Sequence, residues 1–82
     1  MSRLVSRLAE VAIGSRGRVV EVDGGDAIGI RLLEMGLTPG VELSVLGTAP
    51  LGDPMEIEVR GYRLSLRKSE AARISVEVLP GA

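Results

Sequence analysis

Two alternating runs on either side of Arg60-Gly61 constrain this chain more than any other feature. Met55, Ile57 and Val59 alternate with Glu56, Glu58 and Arg60, and Tyr62, Leu64 and Leu66 alternate with Arg63, Ser65 and Arg67. A two-residue turn at Arg60-Gly61 pairs Val59 with Tyr62, Ile57 with Leu64 and Met55 with Leu66. All three apolar pairs then share one face, and Glu58 falls opposite Arg63 on the other. Slipping the register by one residue would send every apolar side chain to the wrong face. The pattern therefore predicts a half-buried β-hairpin. A bulged turn is the alternative, because Arg60 resists positive φ.

The same reading extends in both directions. Ile74, Val76 and Val78 alternate as a last strand, preceded by a helical turn over Ser69-Glu70-Ala71-Ala72 with Ser69 as cap. Val41, Leu43 and Val45 form another strand, joined to the hairpin by the loop Ala49-Pro50-Leu51-Gly52-Asp53-Pro54. Arg18 to Val22 reads as a first strand, with Val20 and Val22 on one face and Val19 and Glu21 on the other. Upstream, Ser6 to Val11 can make a short helical turn with Leu4, Leu8 and Val11 on one side, broken by Gly14 and Gly17.

Between the first strand and Val41 the period changes. Asp23-Gly24-Gly25 is a turn, and Asp26 is placed to cap a helix reaching about Met35. Ile28, Leu32 and Met35 recur at helical spacing and should face the core. Gly29 inside this helix costs about 1 kcal/mol relative to alanine, which implies close packing against a strand or a contact surface for another backbone. Gly36 suits the left-handed C-terminal cap, with Leu37 folding back on the last turn. Pro39-Gly40 follows as a turn pair.

The expected architecture is mainly β: a small, partly open SH3-like barrel of about five strands. One α-helix is inserted after the first strand, and a short helical turn precedes the last. At 82 residues the chain is one domain, 1–82. Its core must be aliphatic, because there is one Tyr and no Phe or Trp.

Composition removes several functions. With no Cys and no His, disulfides, thiolate or imidazole metal sites, and Ser–His or Cys–His nucleophiles are all excluded. A net charge of −1 gives no general attraction to nucleic acid or anionic membrane. No run approaches the ~20 apolar residues of a membrane span, and Met1 to Leu8 lacks a signal-peptide core. The expectation is a cytoplasmic protein.

Local motifs fail as well. Gly24, Gly25 and Gly29 do not have dinucleotide-binding spacing, and Asp26 would face the phosphates. The acidic residues Glu21, Asp23, Asp26, Glu34, Asp53, Glu56 and Glu58 make no calcium-loop pattern. Arg60, Arg63, Arg67, Lys68 and Arg73 form a basic C-terminal half, but its one aromatic, Tyr62, is turned inward by the hairpin register. RNA and polyproline recognition both need aromatic platforms. Three leucines resist a purely structural account: Leu51 at the tip of a loop fixed by prolines, Leu33 off the core stripe, and Leu37 if its cap contact leaves part of it open.

Arg31-Leu32-Leu33-Glu34-Met35-Gly36-Leu37-Thr38-Pro39-Gly40, followed by Ala49 to Pro54, resembles the signature of the FeoA family. The likeness continues through Gly61 to Lys68 and Glu70-Ala71, covering about Leu8 to Val78. This resemblance implies an SH3-like barrel and an accessory role in bacterial ferrous iron uptake. The implied partner is FeoB, an inner-membrane transporter with a cytoplasmic GTP-binding domain, to which the chain would be recruited. The barrel also resembles the C-terminal domain of iron-dependent repressors of the diphtheria-toxin-repressor type, where it follows DNA-binding and metal-binding domains; with only a few residues before the barrel here, a freestanding protein is the expectation.

The leading expectation is a non-enzymatic interaction module with no cofactor. Its contact residues are expected to be Arg31, Leu33, Glu34 and Leu37 on the helix and its exit, with Leu51 and Asp53 on the loop. Leucines would anchor the contact and charges would orient it at the rim. The alternative is a metal-responsive regulatory domain using Glu56, Glu58 or Asp53. An enzyme is the weakest reading, since no nucleophile–base pair or phosphate cradle can be assembled. An unpaired edge of an open barrel could also join two copies into a weak homo-oligomer.

Overall fold

A computed structural model describes residues 4–80. The elements are β1 (Val5–Arg7), β2 (Arg16–Val22), α1 (Ala27–Glu34), β3 (Glu42–Thr48), β4 (Met55–Val59), β5 (Tyr62–Leu66), α2 (Lys68–Ala71) and β6 (Ile74–Val78). A single 3₁₀ turn occupies Leu8–Glu10, and Pro50–Gly52 is a tight turn whose central Leu51 is non-helical. The strands form one antiparallel sheet in the order β1-β6-β2-β3-β4-β5.

The hairpin has the register expected from its alternation, including Val59 opposite Tyr62 and Glu58 opposite Arg63. Arg60 and Gly61 both take positive φ, 52° and 85°, so the turn is the tight two-residue form rather than the bulged one. Leu43, Val45, Ile57, Val59, Ile74 and Val76 point into an aliphatic core, joined by Leu32 from α1.

Several expectations need correction. The sheet has six strands rather than about five, and it does not close into a barrel: β1 and β5 are its two ends. The extra strand is β1, where a helical turn was expected. Residues 5–7 pair with β6, and only Leu8–Glu10 turns. Leu8 and Val11 are buried, but Leu4 is exposed. In β2 the faces expected of the valines are overturned: Val19 lies in the core, and a register shift between Val19 and Glu21 inserts Val20 as an extra residue. Such a bulge is invisible to a period-two count. The cap of α2 is Arg67, not Ser69, so the helix begins at Lys68.

Helix α1 is seated by its ends. Asp26 accepts a hydrogen bond from the Gly29 N–H at 3.0 Å and pairs with Arg73 at 2.7 Å. The Asp23 N–H donates to the Arg73 carbonyl at 2.7 Å, fixing the preceding turn to β6. Gly29 packs against that turn, and a Cβ placed there would stand 2.2 Å from the Gly24 carbonyl oxygen. Close packing is therefore the reason for this glycine, although its neighbour is the turn rather than the strand itself.

At the other end, the Gly36 N–H donates to Leu33 O at 3.0 Å and the Leu37 N–H to Leu32 O at 3.2 Å. Those two bonds are the Schellman motif, and Gly36 supplies its left-handed residue at φ 102°. The Val41 N–H then bonds Thr38 O at 3.1 Å, closing the Pro39-Gly40 turn, and the Gly40 N–H bonds Val19 O at 2.8 Å, holding that turn on β2.

Candidate functional site

The six candidate contact residues divide into three on α1, one just beyond it and two on the β3–β4 loop. A helix advances roughly 100° per residue, so the buried Gly29 and Leu32 define its inner face. Leu33 flanks one side of that face and Arg31 the other, roughly 160° apart. Glu34 lies between them on the outer surface. Arg31 and Leu33 therefore do not share one patch.

On the Arg31 side, α1 is fastened to α2. Arg31 Nη2 donates to Glu70 Oε2, while Glu70 Oε1 accepts the Arg67 N–H at 2.8 Å. The Glu70 side chain is nearly buried, and both of its oxygens are occupied. The pair lines a cleft of about 300 Å³ together with Ile28, Arg67 and Ser69. Tyr62 adds a second fastening from β5: its hydroxyl donates to the Met35 carbonyl at 2.6 Å. The expectation that Tyr62 turns inward is corrected, since it is 42% exposed and reaches along the surface to the end of α1.

On the Leu33 side, α1 is uncovered. Leu33 is 38% exposed and Ile30, one turn earlier, is 48% exposed. Ile30 was not singled out from sequence, although its spacing of three from Leu33 was the available signal. Ile28, expected in the core, is also exposed. Leu37 is corrected most clearly: it is 0% exposed, because the Schellman geometry folds it beneath the last turn. Its side chain offers no surface in this structure.

In the loop, Ala49 N–H donates to Pro54 O and Gly52 N–H to Ala49 O, both at 2.9 Å. The Asp53–Pro54 peptide is cis. This frame presents Leu51 fully to solvent in the left-handed conformation, φ 75°. Asp53 is exposed too, but its Oδ1 accepts the Lys68 N–H at 3.0 Å at the start of α2. Among the described residues, no hydrogen bond or ion pair joins this loop to α1. Glu56 and Glu58 are exposed on β4, and no three acidic side chains converge among the described residues. No helix among those residues is long and apolar enough to cross a membrane.

Comparison with known proteins places this geometry. The FeoA domain matches residues 6–78. A Porphyromonas gingivalis protein named as a fusion of Fe(2+) transport protein A with the Fe(2+) transporter FeoB is 38% identical over 73 residues, 89% of this chain. The chain spans only 9% of that relative's length. The solution structure of a FeoA-like protein from Clostridium acetobutylicum superposes with a TM-score of 0.88 at 40% identity, covering 100% of this chain and 94% of that one. The zinc complex of Stenotrophomonas maltophilia FeoA, described as a prokaryotic SH3-domain protein, gives 0.76 at 34% identity, covering 85% and 87%. A manganese-dependent transcriptional repressor shares the fold alone: TM-score 0.83 at 18% identity, over 96% of this chain and 44% of that one. The chain belongs to the FeoA family, which is linked to ferrous iron transport, and its sheet is SH3-like.

Proposed function

From membership of that family, we propose that the chain is a non-catalytic accessory protein of ferrous iron uptake, docking on the cytoplasmic part of a FeoB-type transporter. The observation that carries this reading is the Porphyromonas relative, in which the two proteins are named as one fused chain. A fusion makes their encounter intramolecular and persists where the parts work together.

For the contact itself, Leu51 is the best anchor. It is a large apolar side chain held in solvent by a short loop that two backbone hydrogen bonds close, which limits the backbone order lost when it enters a pocket. Leu33 and Ile30 offer a second apolar contact, with Glu34 at its rim. Arg31, Leu37 and Asp53 leave the proposed surface, because their side chains serve the fold.

Capture of the purified cytoplasmic domain of the transporter by immobilised wild-type chain tests the reading. Leu51→Asp and Leu33→Asp should each weaken capture while leaving the fold intact. Capture unchanged in both variants would refute this surface, and no capture by the wild type would refute the partner.

A further inference from the structure

The structure identifies the two free edges of the sheet, and they are unequal. At β1 the edge is three residues long, and its Arg7 is tied to Asp23 at 2.7 Å. At β5 the edge is five residues long, and its ladder to β4 runs without a register shift. The ladders of β2 with β6 and β3 with β4 each carry one. We propose that β5 is a self-association edge, to which a second copy of this chain adds its own β5, antiparallel and centred on Leu64.

Hydrogen-bond parity in the hairpin supplies the first argument. Across a two-residue turn, Val59 and Tyr62 exchange both backbone bonds, as do Ile57 with Leu64 and Met55 with Leu66. The N–H and C=O groups of Arg63 and Ser65 therefore point away from β4. No other element meets them among the described residues. Natural edges are usually protected by proline, a bulge or several charges. Within Tyr62–Leu66 there is no proline, no bulge and one charge, Arg63.

Register supplies the second argument and selects the occupant. A two-fold axis at Leu64 places Arg63 of each copy opposite Ser65 of the other, a pair that exchanges both backbone bonds. Leu64 then faces its own copy, and Tyr62 faces Leu66. An axis at Arg63 would oppose two arginines, and an axis at Ser65 would oppose Arg63 with Arg67. Like charges directly opposite are destabilising. Of these three registers, only the one centred on Leu64 satisfies four outward backbone groups per copy without opposing charges. The same register draws together the exposed Tyr62 and the partly buried Leu64, apolar surface that the monomer leaves half covered at this edge.

Sedimentation equilibrium over a wide concentration range tests the proposal, with Ser65→Pro and Leu64→Cys as variants. The wild type should rise from the monomer mass toward twice that value and stop there. Ser65→Pro removes an outward N–H that the β4–β5 ladder does not use, so it should weaken association at least tenfold with an unchanged circular dichroism spectrum. The chain has no cysteine, so oxidised Leu64→Cys should give a single cross-linked dimer, the Cα separation of about 4.5 Å across such a pair being within disulfide range. Val5→Cys on the other edge should not cross-link. A wild type that stays monomeric, association undiminished in Ser65→Pro, growth beyond a dimer, or cross-linking through residue 5 instead would each overturn the proposal.

Discussion

Replacing Gly29 by alanine sets helix propensity against packing, with opposite signs. Propensity favours alanine in a helix interior by about 1 kcal/mol. Packing opposes it, since the new Cβ would lie 2.2 Å from the Gly24 carbonyl oxygen, 3.0 Å from Gly24 C and 3.1 Å from Asp23 O. These are backbone atoms, and they have little freedom to retreat. The Asp23 N–H is bonded to Arg73 O, and Asp26, two residues beyond Gly24, is held by both Gly29 and Arg73. Overpacking costs typically about 1–3 kcal/mol, and a backbone clash belongs at the top of that range. With the propensity gain subtracted, Gly29→Ala should lose about 2 kcal/mol. For a domain of this size that lowers Tm by about 8–16 °C. Urea denaturation followed by circular dichroism measures it, with Gly25→Ala as control. A Cβ on Gly25 meets nothing within 4 Å and its φ is not positive, so that change should be neutral or stabilise by up to about 1 kcal/mol. Gly29→Ala as stable as wild type, with an unchanged m-value, would refute the close-approach account.

Removal of Arg31 leaves Glu70 with only the Arg67 N–H. Arg31→Ala should therefore cost about 1–3 kcal/mol of stability, and a double-mutant cycle with Glu70→Gln should show coupling of at least about 0.5 kcal/mol. Loss of partner capture at full stability would return Arg31 to the contact surface. Asp26 has its carboxyl held below its ordinary value of 3.8, chiefly by the hydrogen bond from Arg73 and then by the Gly29 N–H. Its contribution is thus present above the unfolded value and is lost as pH falls from 3.8 through the lower folded one. Asp26→Asn should flatten that acid limb in urea midpoints measured across it, whereas a slope identical to wild type would show that Asp26 contributes nothing. Leu51→Asn relieves a left-handed leucine with a residue that tolerates this conformation. It should be neutral or stabilise by up to about 1 kcal/mol, and clear destabilisation would mean that the loop needs its leucine.

Much of this fold was legible because single residues carried complete geometric demands. The hairpin register followed from six alternating apolar residues, and the helix stop from Gly36 with Leu37 beside it. What was lost depended on distant partners. Nothing local in Val5–Arg7 announces a strand, because its pairing is to β6, more than sixty residues away. The bulge at Val20 is set by the same partner strand. Tyr62 has the hairpin's inward phase, yet its hydroxyl finds the Met35 carbonyl only because α1 ends beside β5. In the candidate site, the helical wheel could have separated Arg31 from Leu33 and joined Ile30 to Leu33. It could not have shown that Glu70 waits on the Arg31 side.

Burial explains Leu37, a helix-start hydrogen bond explains Asp53, and the bond to Glu70 explains Arg31. Substituting any of these would confuse lost binding with lost structure. Leu51 differs in kind, because nothing in the fold rewards it. As a residue other than glycine in the left-handed region it costs about 1–2 kcal/mol, and its side chain gains no burial in return. Gly52 beside it also takes positive φ, 86°, so the loop already uses glycine where only backbone geometry matters. A leucine at the neighbouring position, with the same sign of φ, is therefore better explained by what it presents than by what it permits. A residue that destabilises its own chain and faces outward is where an external pocket has most to gain. That asymmetry, more than exposure alone, makes Leu51 the first position at which to test the transporter contact.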